Sequence, residues 1–136
     1  MEQLSDTPVL LIQKDPSFNG LVTTWKKSPK KEDFEESIQC ILDMLRKHSL
    51  RKILNDTRQI DVLPIESQNY VAEKVAEFSQ KHFTFKQANV LASDAFGKFS
   101  VQNFDRRLKA KHTGDQTNAM FESYQDAQHW LEHLEI

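Results

Sequence analysis

Reactive side chains are few in this sequence and lie far apart. Asp56, Thr57 and Arg58 follow one short apolar run and Ser93 and Asp94 follow another. All five are expected at the carboxyl ends of strands, where loops and helix N-termini offer unpaired N–H groups to a ligand. The competing reading is structural: Asp56 and Arg58 tie a loop together by hydrogen bonds, while Ser93 and Asp94 cap a helix. Acid–base catalysis needs a poised histidine or carboxylate pair, yet His48, His82, His112, His129 and His133 are spread over helix ends and surface positions. His129 and His133 stand four apart on the last helix, a spacing that can chelate a metal, but two ligands fall short of a zinc site and both read as surface residues. Cys40, the single cysteine, adjoins the apolar stripe of a helix and reads as a buried, inert thiol. With only Gly20, Gly97 and Gly114, neither a Walker loop nor a dinucleotide fingerprint can be built. No catalytic residue, metal or cofactor is therefore expected, and the chain reads as a binding protein rather than an enzyme.

Aromatic and basic groups carry the remaining candidates. Tyr70, Phe96 and Phe99, with Phe104, have the composition of an apolar ligand pocket between helices, against the alternative that they fill the core. Arg106, Arg107, Lys109, Lys111 and His112 form the densest basic run, and read as a solvated helix end. Eighteen basic against twenty acidic residues leave a net charge of -2, so no global field favours nucleic acid. The longest apolar run, Val9 to Ile12, is far short of the roughly 20 residues of a transmembrane helix. A lone cysteine and no charged-then-apolar leader point to the cytoplasm.

These groups need elements to position them. The 136 residues suit one domain, and the spread of Phe, Leu, Ile and Val along them suits a packed core. Thr7 to Gln13 and Leu21 to Lys27 read as a β-hairpin with Asp-Pro and Asn-Gly turn signals between. Ser28 then reads as an N-cap with Pro29 at the first helical position. The helix carries Phe34, Ile38, Ile41, Leu42 and Leu45 at helical spacing, with acids at its start and Arg46, Lys47 and His48 at its end. Leu50 to Asn55 is a strand, Ile65 to His82 a second helix, and Phe85 to Ala92 a strand. Ser93 and Asp94 open a third helix through Phe96, Phe99, Phe104 and Leu108; Ala119 to Glu122 is a last strand, and Ser123 with Asp126 opens a last helix through Ala127, Trp130, Leu131 and Leu134. The expected class is α/β, ββαβαβαβα, with helices on both faces of a mixed, largely parallel sheet.

That element order resembles the STAS-like superfamily, named for sulphate-transporter and anti-sigma-factor-antagonist domains. The resemblance rests on the Trp25 strand leading into Asp33-Phe34, the strand end Leu54-Asn55-Asp56-Thr57-Arg58, the Phe96-x-x-Phe99-Ser100 segment and the closing Ala127-x-x-Trp130-Leu131. It covers nearly the whole chain and is nearest to the small stand-alone SpoIIAA-like proteins that bacteria carry. In the antagonists of that family a Ser or Thr at the start of the helix after the third strand is phosphorylated. Here the corresponding stretch reads Asp61-Val62-Leu63-Pro64-Ile65-Glu66-Ser67, leaving Ser67 as the nearest hydroxyl.

The expectation is a regulatory protein-interaction module, docking a partner through the loops from Asp56 to Glu66 and the second helix. The alternative is a carrier or sensor of a small apolar or anionic ligand held between the second and third helices beside Tyr70, Phe96 and Phe99, which requires a cavity above about 300 Å³. An edge strand or an exposed helix would serve a homodimer.

Overall fold

Apolar positions recurring every third or fourth residue make the helices of this chain, and apolar runs of a few residues make its strands. The structure, a computed structural model, describes residues 1–61, 63–92 and 118–134. In chain order these form β1 (Glu2–Asp6), β2 (Leu10–Asp15), β3 (Gly20–Trp25), α1 (Lys31–His48), β4 (Lys52–Asp56), α2 (Ile65–Lys81), β5 (Lys86–Val90), β6 (Asn118–Phe121) and α3 (Tyr124–Glu132). One six-stranded sheet runs β1-β2-β3-β4-β5-β6. Pairs β1–β2 and β2–β3 are antiparallel, and β3–β4, β4–β5 and β5–β6 are parallel. The fold is α/β with a mixed sheet. No helix among the described residues is long and apolar enough to cross a membrane.

The sheet separates two apolar layers. On one face α1 and α2 lay Phe34, Ile38, Ile41, Leu45, Val71, Val75 and Phe78 over Leu21, Trp25, Ile53 and Phe85. Trp25 and Phe34 stack with centroids 5.5 Å apart. On the other face α3 sets Ala127 and Leu131 against Phe18, Val22, Leu54, Ala88 and Val90. Alternate residues of each central strand therefore serve opposite layers. Lys52 anchors α3 from the sheet, its Nζ donating to the carbonyls of Leu131 at 2.6 Å and Leu134 at 3.0 Å, where a helix C-terminus favours a cation.

Several boundaries differ from the expected ones for local reasons. The chain opens with three strands rather than two: β1 is largely exposed, and it is held by backbone pairing to β2 with a bulge between Gln3 and Ser5. Thr7 belongs to the turn before β2, its Oγ1 accepting from the N–H groups of Val9 and Leu10, so the strand starts at Leu10. Ser28 does not cap α1. The helix begins after Lys30 with no side-chain cap, and the Ser28 hydroxyl accepts from the Asp61 N–H at 2.8 Å instead. β4 runs to Asp56, α2 ends at Lys81 and β5 at Val90, each within two residues of the expected limit. Ser123 caps α3 as expected, accepting from the Asp126 N–H. The expected third helix and the basic run from Arg106 to His112 lie outside the described residues.

The β2–β3 connection turns at Asn19, whose φ of 53° is the left-handed conformation that asparagine tolerates. Gly20 follows, and a Cβ there would lie 2.5 Å from the Lys52 carbonyl oxygen and 2.6 Å from the Phe18 ring. Gly20→Ala is expected to cost about 1–3 kcal/mol of stability by overpacking. A urea melt reads this as a lower midpoint at unchanged slope, and an unaltered midpoint would refute the close approach.

Candidate functional site

The strand-end residues form a tied turn. Thr57, immediately after β4, donates both its N–H and its Oγ1–H to the Val90 carbonyl of β5, at 3.0 and 2.8 Å. Arg58 forks onto Asp56, with Nε 2.9 Å from Oδ1 and Nη2 2.7 Å from Oδ2, and its own N–H reaches Oδ1 at 3.2 Å. That hydrogen-bonded carboxylate raises the guanidinium above its ordinary pKa. The structural role read for Asp56 and Arg58 is thus present. The loop that follows is fixed inward by buried Ile60 and Leu63, and Gln68 Nε2 donates to the Leu63 carbonyl at 2.7 Å.

Of the other expected residues that are described, Ser67 and Tyr70 do not join this turn. Ser67 is buried inside α2, 3% exposed, so the nearest hydroxyl to the family's phospho-acceptor position does not face solvent. Tyr70 is half-buried and its OH donates to the Glu35 carbonyl at 3.5 Å, bridging α2 to α1. Ser93, Asp94, Phe96 and Phe99 lie outside the described residues. Cys40 is half-buried rather than buried, because it sits where α1 borders an open groove of about 510 Å³ beside Thr7, Pro8 and Val9.

What sequence reasoning missed is a row of amides beneath α1 and α2. Parallel strands covered on both faces usually carry aliphatic side chains. Here Thr23, Asn55 and Asn89 stand in register across β3, β4 and β5, with Gln87 two residues before Asn89 on the same face. The Asn55 Oδ1 accepts from Thr23 Oγ1 and from Trp25 Nε1, both at 2.8 Å. Because an indole N–H can only donate, this contact fixes which way the Asn55 amide points. Its Nδ2 then donates to the Asn89 Oδ1 at 3.3 Å, which also accepts from Gln87 Nε2 at 2.8 Å. The signal in the sequence was the alternation Gln87-Ala88-Asn89-Val90, which puts two amides on one face and two apolar residues on the other.

Above this row lies a cavity of about 60 Å³ between β3 to β5 and the two helices. Thr23, Asn55 and Gln87 line its floor, Phe34, Ile38, Ile41, Val71 and Val75 its helical side, and Thr57, Ile60 and Leu63 of the loop its end. Among the described residues no charged side chain lines it. At about 30 Å³ per water the space suits only a few solvent-sized groups. It lies between the first and second helices, and is therefore not the space expected between the second and third, which falls with Phe96 and Phe99 outside the described residues.

On the opposite face, the Tyr124 hydroxyl is buried with no hydrogen-bond partner among the described residues. Burial, followed by the charges of Asp15 and Asp56, raises its pKa above 10, against a smaller opposing effect of Arg58. Nearby, Gln128 Nε2 reaches Asp15 Oδ2 at 3.4 Å. Further along α3 the pair His129 and His133, read as two isolated ligands, is joined by Glu132. The side-chain ligand atoms of all three lie within 4.8 Å of one another, a consequence of the His-x-x-Glu-His spacing.

The chain has two tyrosines, so a Tyr70→Phe variant leaves Tyr124 as the sole phenol. Its absorbance titration is expected above 10 in the folded protein. The folded phenol holds its proton to higher pH than the unfolded one. Its contribution to stability is therefore complete below pH 10 and lost as pH rises through the folded value. Titration at the ordinary value would contradict the burial. Compared by sequence with protein-family models and with curated proteins, the chain finds no match.

Proposed function

We propose that this chain is a non-catalytic regulatory module of the STAS-like kind. A small ligand held between α1, α2 and the sheet would set the conformation of a loop that a partner protein reads. One observation carries the proposal: the loop from Thr57 to Pro64 faces two ways. Its Ile60 and Leu63 wall the amide-floored cavity, while Arg58, Gln59, Asp61 and Pro64 are exposed on its outer side, followed by Ile65 at 58% exposure. Anything that fills or enlarges the cavity presses on the loop from within, so ligand and partner couple through a shared element.

The lining dictates ligand chemistry. Apolar walls over Asn55 and Gln87 suit a neutral molecule of only a few heavy atoms, with a short apolar body and one hydrogen-bonding head. With no cationic side chain among the described residues of the wall, an anion would meet a desolvation cost that none of them offsets, which favours a neutral ligand. Among the described residues this wall holds no histidine or carboxylate. The loop and the start of α2, where Lys31 and Glu66 pair at 3.6 Å, form the surface proposed to meet the partner.

Trp25 lines the cavity, and the only other tryptophan, Trp130, packs on the opposite face. In a Trp130→Phe background, titration with short-chain neutral primary amides and alcohols is expected to shift Trp25 emission saturably. Val75→Phe, which fills the cavity from α2, is expected to weaken that binding by at least about tenfold, equivalent to about 1.4 kcal/mol. Hydrogen exchange over residues 57–64 should change with occupancy. No saturable shift across the series, or binding indifferent to Val75→Phe, would defeat the proposal.

A further inference from the structure

We propose that His129, Glu132 and His133 form a surface site for a divalent transition-metal ion of the zinc, nickel or copper class. Residues three and four apart on a helix project from one face, and these three occupy the last turn of α3 and its C-cap. Their ligand atoms already lie within 4.8 Å of one another, and the two imidazole rings are 4.2 Å apart between centroids, tilted by 42°. With metal–ligand bonds of about 2.0–2.2 Å, ligand atoms on one tetrahedral ion lie about 3.4 Å apart, so these exposed side chains need close by at most about 1.4 Å to share one ion.

One imidazole is already oriented for the task. His133 Nδ1 sits 2.8 Å from the His129 backbone carbonyl. A carbonyl oxygen only accepts, so Nδ1 carries the hydrogen and Nε2 is left with its lone pair for a metal. Metal-binding histidines are commonly held in this way, by a hydrogen bond from the ring nitrogen that does not ligate. The site also lies at the negative end of the helix dipole, which favours a cation. Lys52 is committed to the carbonyls of Leu131 and Leu134 and does not compete for that of His129.

The donor set decides the ion. Two imidazole nitrogens and one carboxylate oxygen suit zinc, nickel and copper, whereas magnesium and calcium require oxygen ligands. Three protein ligands leave a coordination position for water or for a group from another molecule. Because α3 covers the face opposite the amide-floored cavity, the site stands or falls separately from the ligand proposed there.

Isothermal titration of the full chain with zinc, nickel and magnesium chlorides tests this. The expected result is one saturable zinc or nickel ion per chain, no saturable magnesium, and a melting temperature that rises with zinc. His133→Ala and His129→Ala should each abolish the saturable binding and the thermal shift. Glu132→Gln, which removes the carboxylate ligand and keeps both imidazoles, should retain binding at about tenfold lower affinity, equivalent to about 1.4 kcal/mol. His48→Ala should bind as the unmodified chain does. Far-UV circular dichroism checks that each variant is folded; all three side chains are exposed, so the fold is expected to survive. Absence of saturable zinc and nickel binding, or equal affinity in a folded His129→Ala, His133→Ala double variant, would overturn the assignment.

Discussion

The Asn55 side-chain carbonyl accepts the Thr23 hydroxyl and the Trp25 indole N–H at once, in the middle of the sheet and beneath two helices. Both donors are in buried residues, and a buried donor left unpaired costs about 1–3 kcal/mol. The geometry around Asn55 is therefore tightly constrained. β3 and β4 must hold the register that pairs Thr23 with Asn55, Trp25 must take the rotamer that stacks it on Phe34, and the Asn55 amide must turn its nitrogen toward Asn89. From that one acceptor the order of hydrogen bonds passes to β5 and Gln87.

The two faces of the sheet solve different problems. Beneath α3 the centre is apolar, Ala88, Ala127 and Leu131 with Phe18, Val22 and Leu54, and the polar groups stand at the margins, Lys52 under the helix end, Asp56 clasped by Arg58, and the Tyr124 hydroxyl. Beneath α1 and α2 the polar groups occupy the centre and the space above them is incompletely filled. A fully aliphatic row would pack a parallel sheet more simply, so the amides mark that face as a departure from ordinary packing.

Much of the fold was legible because its signals are local. The apolar stripe of α1, its acidic start and basic end, and the Ser123–Asp126 cap each depend on residues within a turn or two. The strand-end turn was legible too, since Asp56 and Arg58 are only two residues apart. What escaped depends on distant partners. Ser28 has the composition of a cap, yet its hydroxyl serves Asp61 across a separation of 33 residues. β1 is held by backbone pairing and shows no buried alternation. Gln87 and Asn89 fall in the expected strand Phe85 to Ala92, but only α1 and α2 make their face buried, and only the register across β3, β4 and β5 aligns Thr23, Asn55 and Asn89.

The central claim is that the amides beneath α1 and α2 form one connected, fully ordered set that the rest of the site is built upon. Hydrogen exchange of the Trp25 indole N–H, followed by NMR in the unmodified chain and in Asn55→Ala, tests it most directly. The account predicts slow exchange in the unmodified chain, close to the rate of global unfolding, and exchange faster by about thirtyfold, or about 2 kcal/mol, once its acceptor is removed. Equal protection of the indole in the two proteins would contradict it.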